Sequence, residues 1–366
     1  MLIRHGKLWA RLLALVLLAP MFVACSQSTQ SSNSASASST ASSFAFTDSD
    51  GRVVEIPTHV KTIAPSGPLA QMVLFAVAPD KLGGLGSKWT DEAKQYIPQK
   101  YQDLPVFGQL YGGGGTTLNK EALAAAHPDL IIDVGEKKST STQDMDQLQS
   151  SLGIPTIFIE ASLDTMPQAF RTLGKVLDEN AQGEKLASYC DEIYSKTKST
   201  MATITDKKKG LYVVNDSGTN VLAKGSFQSQ VLDLMTDNVA VVDNPSASGT
   251  GNQVSMEQVV QWNPDVILFG SSAMIGTART DPTWSSLAAV KSNNIYLTPS
   301  QPWNWIASPP SINRYMGMVW LGYLLYPDKF NYDLRTETNR FYQLFYHSAE
   351  LTDAQYSKLT DQATRH

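Results

Sequence analysis

The sequence predicts an α/β protein of two lobes, with mainly parallel sheets flanked by helices and one long helix joining the lobes. The first observation behind this is a repeat. Residues 121–132 and 257–268 each contain an acid, a short helical pattern, a Pro-Asp pair and an apolar strand, offset by 136 residues. The second is the alternation of short apolar strands with helical patterns, which favours parallel sheets. The third is a helical pattern over 181–205, ~37 Å long if continuous, which could cross from one lobe to the other.

The N-terminus has the pattern of an export signal. The basic residues Arg4, Lys7 and Arg11 precede an apolar run over residues 12–24. That run is too short to span a bilayer of ~30 Å and fits the core of a secretory signal. We therefore predict a signal peptide over residues 1–24.

The residues around the end of this signal suggest a lipid anchor. Residues 22–25 resemble the lipobox of bacterial lipoproteins, in which Cys25 becomes the lipidated first residue. An ordinary signal peptide with an incidental cysteine is the alternative. Residues 25–43 consist, after Cys25, only of Ser, Ala, Thr, Gln and Asn, and are predicted to form a flexible tether. The folded body is then expected on the outer face of the cytoplasmic membrane.

Composition restricts the fold and its partners. The chain has 366 residues, 42% of them hydrophobic, which is enough for two lobes. Cys190 is the only cysteine besides Cys25, so we expect no intramolecular disulfide and a small, buried thiol in a helix. A net charge of −5 without a dense Lys/Arg stripe argues against a nucleic-acid partner.

The predicted elements follow in chain order. The first lobe, residues 44–162, has predicted strands at 62–64, 81–85, 130–134 and 156–159 and helices at 69–77 and 142–152. Residues 163–208 hold two helices, 164–180 and the interlobe helix 181–205. The second lobe, residues 209–366, has predicted strands at 211–215, 239–242, 266–269 and 295–297 and helices at 229–235, 310–325, 335–346 and from Thr352 onward. Thr352 and Gln355 have the spacing of a capping box.

In this order and spacing, the motifs resemble the class III substrate-binding proteins of ABC importers, which carry ferric siderophores, haem and cobalamin. The resemblance covers nearly the whole mature chain. It rests on the lipobox, the long helix, and the segments 46–57, 119–123, 127–132 and 257–265. The resemblance implies a monomer of two lobes that close slightly over a small-molecule metal complex. It also implies delivery of that complex to a permease dimer with its ATPase.

The resemblance assigns the repeated acids, Glu121 and Glu257, to docking on the two permease subunits. Asn119 and Ser255 each lie two residues before their glutamate and can cap the helix that follows. An acid in the first turn is also favoured by the helix dipole. These structural reasons account for either glutamate alone, but not for both at matched positions. Docking to an oppositely charged partner is therefore our expectation.

Ligand-binding residues are expected in loops at the carboxyl ends of strands. Trp303 and Trp305 lie in a loop bounded by prolines, where a bulky and partly apolar ligand would suit large planar side chains. Packing of one of them against its own lobe is the alternative. Trp89, Tyr111 and Ser226 lie in the other candidate loops and complete the set.

Arg314 is the candidate for recognising an anion. It lies at the start of a predicted helix, which is an unfavourable place for a cation. The anion can be a carboxylate or phosphate of the ligand, or a structural Asp or Glu.

Several functions are disfavoured by missing motifs. The glycine-rich stretches lack the pattern of a phosphate-binding loop. No Gly-x-Ser-x-Gly occurs, and His127 is replaced by Asn263 in the second repeat, so we do not expect an enzyme. No His pair has metal-ligand spacing, so we expect neither a protein-bound metal nor a cofactor.

The metal is then expected to arrive chelated. An iron–siderophore complex is the first choice, followed by a corrinoid or haem, and then by a molybdate-type oxyanion. A surface sensory or adhesion module without transport is the alternative of another class.

Overall fold

The computed structural model of the chain describes residues 42–111, 116–246 and 249–365. The predicted signal peptide, Cys25 and nearly all of the tether lie outside the described residues. Within the described part of the chain, no helix combines the length and the apolar character needed to cross a membrane.

The first lobe is built around a small parallel sheet. Strands β1 and β2 pair as an antiparallel hairpin, whereas β3, β4 and β5 form a parallel sheet in that order. Every residue of β4 is buried, as expected for a strand covered on both faces. The bounds are β1 Ser43–Thr47, β2 Val53–Pro57, β3 Ile63–Pro65, α1 Pro68–Val77, α2 Lys120–Ala126, β4 Leu130–Gly135, α3 Ser141–Leu152 and β5 Thr156–Glu160.

Two helices connect the lobes, and a larger sheet forms the second lobe. The connecting helices are α4 Met166–Val176 and α5 Asn180–Met201, the latter of 22 residues. The strands of the second lobe are β6 Lys209–Val213, β7 Asn220–Val221, β8 Asp237–Asn238, β9 Asn252–Gln253, β10 Val266–Phe269 and β11 Ile295–Leu297. Its helices are α6 Gln230–Met235, α7 Met256–Trp262, α8 Ser272–Thr280, α9 Pro282–Ser285, α10 Ala288–Lys291, α11 Asn313–Leu325, α12 Pro327–Phe330, α13 Leu334–Tyr346 and α14 Asp353–Leu359.

The sheet of the second lobe is mixed. Strands β11, β10, β6 and β8 pair with one another in parallel, whereas β7 pairs antiparallel with both β6 and β9. The two-lobed α/β class is confirmed, with parallel pairing in the centre of both sheets.

The repeated unit of the sequence is also a repeated structure. Helices α2 and α7 each have seven residues, begin after a side-chain cap and end at a left-handed residue, His127 or Asn263. The aspartate after each helix binds backbone N–H groups at the start of the neighbouring strand region. Asp129 Oδ2 accepts from Lys61 and Thr62 at 2.7 and 2.9 Å, and Asp265 Oδ2 accepts from Lys209 at 2.9 Å. The Pro-Asp pair therefore has a structural function in both lobes.

The C-terminal helices pack against both lobes. Helix α11 is almost entirely buried, and α13 contacts α1 of the first lobe. The hydroxyl of Tyr315 on α11 donates to the Leu163 carbonyl at 2.7 Å, and His347 Nε2 lies 3.0 Å from the Phe75 carbonyl oxygen. One hydrophobic core consequently continues from the first lobe into the C-terminal helices.

Cys190 and the last capping box have the predicted structures. Cys190 is a free thiol in α5 with no exposed surface, and burial raises its pKa well above the usual value. Thr352 and Gln355 form the reciprocal capping box at the start of α14.

Two predicted strands are wrong. Residues 81–85 form only isolated bridges, because this segment packs too closely on its neighbours for a regular strand. A Cβ on Gly86 would lie 2.3 Å from the Gly67 carbonyl carbon, so glycine is required there for backbone packing and not for phosphate binding. Residues 239–242 are irregular, and the strand lies just before them at Asp237–Asn238. The first hairpin and α8–α10 were not predicted.

Candidate functional site

A cavity of about 600 Å³ lies beside the carboxyl ends of β3 and β4. The first lobe lines it with residues 66–70 after β3, residues 133–136 and Lys138 at the end of β4, and two side chains of a loop, Gln109 and Tyr111. The second lobe contributes Phe227, Gln228, Ser246, Pro309 and Pro310. The cavity therefore lies between the lobes, where open α/β sheets bind ligands.

Tyr111 is held firmly in the wall of this cavity. Its hydroxyl donates to Asp144 Oδ2 on α3 at 2.8 Å, and Lys138 Nζ lies 4.0 Å from its ring centroid. Burial, followed by the hydrogen bond to Asp144, raises the pKa of Tyr111. The side chain thus presents a fixed aromatic surface to the cavity, and its contact with a ligand stays a prediction.

Asp133 is a buried carboxyl group on the same wall. It is 5% exposed, and its Oδ1 accepts a short hydrogen bond from Ser66 Oγ at the end of β3. Among the described residues, no cation lies within ion-pair distance of it. Burial raises the pKa of Asp133, against the opposing effects of Ser66 and Lys138.

Arg314 lies directly behind Phe227. Its guanidinium carbon lies 4.7 Å from the centroid of the Phe227 ring, and Nη1 donates to Gln230 Oε1 at 2.6 Å. The side chain has no exposed surface, and burial lowers its pKa to about 10. In the described part of the chain, Nη2 has no hydrogen-bond partner and no carboxylate is within ion-pair distance. The guanidinium therefore keeps a free donor next to the wall of the cavity.

Ser226 has a capping function beside this wall. Its Oγ accepts from the Ser229 N–H at 3.2 Å and caps the turn Phe227–Ser229. This turn orients Phe227 and Gln228 toward the cavity, so Ser226 shapes the wall without lining it.

The three tryptophans proposed from the sequence do not line the cavity. Trp305 has no exposed surface, and its Nε1–H donates to the Tyr342 hydroxyl at 3.3 Å. Trp89 is 2% exposed, donates to the Tyr101 carbonyl at 3.1 Å and packs against Trp303. The proline-bounded loop is folded against the helices of the core, which keeps these rings out of the cavity wall.

The sequence prediction misses charged residues at the end of β4 and just after it. Asp133, Glu136 and Lys138 all line the cavity, yet none is among the predicted ligand-binding residues. The available signal was a run of charges at the carboxyl end of a buried strand, in the sequence Asp133-Val134-Gly135-Glu136. No group of three or more His, Cys, Asp or Glu residues in the described ranges is arranged to hold a metal ion.

The two repeat-unit glutamates occupy matched positions. Glu121 and Glu257 are exposed residues in the first turns of α2 and α7, whose caps are Asn119 and Ser255. Hydrogen bonds from its own backbone N–H and from Ser255 lower the pKa of Glu257.

A two-lobed α/β chain with a cavity between its lobes has the architecture of solute-binding proteins. A family model described as periplasmic binding protein matches residues 79–302, and the chain belongs to that family. It is a substrate-binding protein of the ABC-transporter type, a class that functions with permease and ATPase partners.

Two relatives and one solved structure illustrate the similarity. The molybdate-binding protein MolA of Haemophilus influenzae is 24% identical over 338 residues, covering 84% of this chain and 92% of MolA. The Fe(3+)-citrate-binding protein YfmC of Bacillus subtilis is 22% identical over 298 residues, covering 80% of this chain and 90% of YfmC. An ABC transporter solute-binding protein from Sulfurospirillum deleyianum superimposes with a TM-score of 0.78 at 26% identity, covering 86% of this chain and 98% of that structure.

Proposed function

We propose that this protein captures a chelated ferric complex outside the cell, anchored by Cys25, and delivers it to an ABC permease. The size of the cavity carries the proposal. A volume of about 600 Å³ is in the range that encloses small organic ligands. A four-oxygen anion needs on the order of 100 Å³, judging by the ~30 Å³ that each water molecule occupies in the liquid. The cavity is therefore large enough for a metal together with its chelator.

The lining supports the same ligand class. Leu69, Phe227 and Pro310 supply apolar surface, while Tyr111 and Lys138 supply polar groups at fixed positions. Bare transition metals are normally held by several His, Cys or carboxylate ligands, and the described residues offer no such group. The similarity to an Fe(3+)-citrate-binding protein agrees with a ferric complex of a hydroxycarboxylate or siderophore.

A molybdate-type oxyanion is the second candidate. The observation that favours it is the buried Arg314, whose Nη2 lacks a partner among the described residues and could donate to an anion. The similarity to MolA, named for molybdate, supports this alternative. Both candidates share an anionic ligand that is drawn toward the Arg314 side of the cavity.

The experiment is a binding panel on the purified full chain. Isothermal calorimetry with ferric citrate, a ferric siderophore, haem, cobalamin and molybdate should show tight binding of a ferric complex. Calorimetry is preferable to tryptophan fluorescence, because none of the tryptophans in the described ranges lines the cavity. Tight binding of molybdate alone would select the second candidate. Binding of haem or cobalamin alone, or of no compound in the panel, would overturn both.

The glutamates Glu121 and Glu257 are proposed to contact the permease. Both carboxylates project from equivalent helices of the two lobes, are exposed, and form no ion pair within the described chain. A partner with two related subunits and basic pockets would match this arrangement, and electrostatic attraction would speed its association.

A further inference from the structure

The wall of the cavity contains an ionisable group that the proposed function leaves unused. Asp133 lines the cavity, yet it is 5% exposed and lies at the end of the fully buried strand β4. An ionised carboxylate in such a place needs a cation or several hydrogen-bond donors. The Asp133 side chain has two hydrogen-bond donors, Ser66 Oγ and the Val134 N–H, and no paired cation among the described residues.

The lysine that shares this cavity does not form an ion pair with Asp133. Lys138 lines the same cavity, but its ammonium group lies over the Tyr111 ring at 4.0 Å instead of pairing with Asp133. Lys137 pairs with the buried Asp50 at 3.2 Å. Both lysines that follow β4 are therefore already engaged.

The other elements around Asp133 bring mostly acids or no charge. Helix α1 and strand β3 have no charged residue, and Glu160 ends the neighbouring strand β5. Asp50 from the hairpin turn raises the pKa of Asp133, and Asp144 on α3 holds the Tyr111 hydroxyl. Arg314, from the second lobe, lies close enough to Glu136 for that carboxylate to raise the pKa of Arg314. This effect opposes the larger lowering of the same pKa by burial.

The charge balance of the site depends on the state of Asp133. Among the groups named above, the positive charges are those of Lys137, Lys138 and Arg314, and the negative ones those of Asp50, Glu136, Asp144 and the exposed Glu160. Ionisation of Asp133 adds a further negative charge in the wall of the cavity. An anionic ligand is therefore repelled more strongly by the ionised form than by the neutral form, whose O–H can donate a hydrogen bond.

We infer that Asp133 recognises an anionic oxygen of the ligand as a neutral carboxylic acid, so that the ligand binds together with one proton. The inference rests on the proposed function, because it requires an anionic cargo such as a ferric hydroxycarboxylate complex or an oxyanion. Asp133 is a specificity residue, since a cationic complex would favour its ionised form. The raised pKa of Asp133 agrees with this role.

The test measures proton uptake on binding. Calorimetric titrations of the full chain with molybdate and with ferric citrate, in buffers of different ionisation enthalpy, give the number of protons bound per ligand. Where free Asp133 is ionised, uptake should approach one proton and affinity should fall about tenfold per pH unit. Asp133→Asn keeps a hydrogen-bond donor without a charge. The affinity of this variant for the anion should not depend on the ionisation of residue 133. Any pH dependence of its affinity and proton uptake that remains comes from the ligand itself and is subtracted from the wild-type values.

Asp216→Asn is the matched control, because it makes the same Asp-to-Asn change at an exposed aspartate that does not line the cavity. It should retain the pH slope and proton uptake of the wild type. Equal slopes in the wild type and Asp133→Asn, or loss of anion binding by Asp133→Asn at every pH, would overturn the inference.

A measurement without ligand separates this inference from the proposed function. The carboxyl ¹³C signal of Asp133, followed by NMR against pH in the ligand-free chain, should titrate above the usual range for aspartate. Titration in the usual range would overturn the inference whatever the ligand. Failure of every panel compound to bind would instead overturn the proposed function.

Discussion

Trp89 of the first lobe packs against Trp303 of the second, with ring centroids 5.7 Å apart and ring planes at 55°. Trp89 also packs against Phe75 on α1, at a centroid distance of 5.4 Å. None of these rings lines the cavity. The contact connects the aromatic residues of the two lobes, so the proline-bounded loop contributes to the packing of one lobe against the other.

The first prediction concerns this aromatic contact. Trp303→Ala should lower the free energy of unfolding by about 2–3 kcal/mol, less than for a fully buried tryptophan because Trp303 is half-buried. Affinity for the ligand should change little. Urea unfolding followed by circular dichroism, together with calorimetry, measures the two effects.

Tyr111→Ala is the counterpart of that substitution, because Tyr111 lines the cavity. It should lower ligand affinity at least tenfold with a smaller loss of stability. If Trp303→Ala left the free energy of unfolding unchanged and abolished ligand binding, Trp303 would belong to the ligand site and not to the contact between the lobes.

The difference between these aromatic residues could not be read from the sequence. The Trp305 indole is buried by Tyr342 and Trp320, which belong to helices α13 and α11. Such long-range packing is not encoded in the proline-bounded loop itself. Tyr111 was selected from the same kind of loop argument, and its position on the wall depends on Asp144 and Lys138. Loop composition thus indicated where aromatic residues gather, but not which of them face the ligand.

The strands were most predictable where the local sequence and the burial agree. The apolar run of β10 was predicted at its observed bounds, Val266–Phe269, because all four residues pack inside a parallel sheet. Residues 81–85 have a similar apolar start, but Gly83 and Gly84 fit against Thr62 and Phe107 in an irregular path. That path depends on neighbours distant in sequence.

The second prediction tests the structural function of the repeated Pro-Asp pair. Asp129 accepts two backbone N–H groups, whereas Asp265 accepts one from Lys209. Asp129→Ala should therefore destabilise the fold by about 1–3 kcal/mol, and Asp265→Ala by about 0.5–1.5 kcal/mol. Thermal and urea unfolding of the two variants give the comparison. A larger loss for Asp265→Ala would contradict the assignment of these hydrogen bonds.

The third prediction tests docking. Reversing the charge in the double variant Glu121→Arg, Glu257→Arg should stop uptake of radiolabelled ferric citrate by cells while leaving the affinity of the purified chain unchanged. Neither glutamate lines the cavity and both are exposed, so the ligand site should not be altered. Each single variant should reduce uptake partly, and its defect relative to the wild type should shrink at higher salt, because salt screens both the attraction and the introduced repulsion.

Glu92→Arg provides the control for this docking test, since Glu92 is an exposed acid outside both repeat units. It should leave uptake at the wild-type level. Normal uptake by the double variant, or a loss of ligand affinity in it, would show that the two acids do not form the docking surface.

The fourth prediction concerns the dependence of stability on pH. Burial raises the pKa of Asp133 in the folded chain above its value in the unfolded chain, so the native state holds this proton more tightly. The contribution of this protonation to the free energy of unfolding is fully present below the ordinary aspartate pKa of ~3.9. It is lost as the pH rises through the raised pKa that Asp133 has in the folded chain. Each unit of difference between the two pKa values corresponds to about 1.4 kcal/mol.

Asp133→Asn should remove that loss, because the amide oxygen can still accept from Ser66 and no charge has to be buried. The variant should be more stable than the wild type at neutral pH, and this advantage should shrink as the solution is acidified toward the ordinary aspartate pKa. Urea unfolding at a series of pH values measures the difference. Glu136→Gln keeps Asp133 and should follow the wild-type pH dependence. Parallel curves for the wild type and Asp133→Asn would mean that Asp133 is ionised at no net cost, with its charge balanced by groups around the cavity.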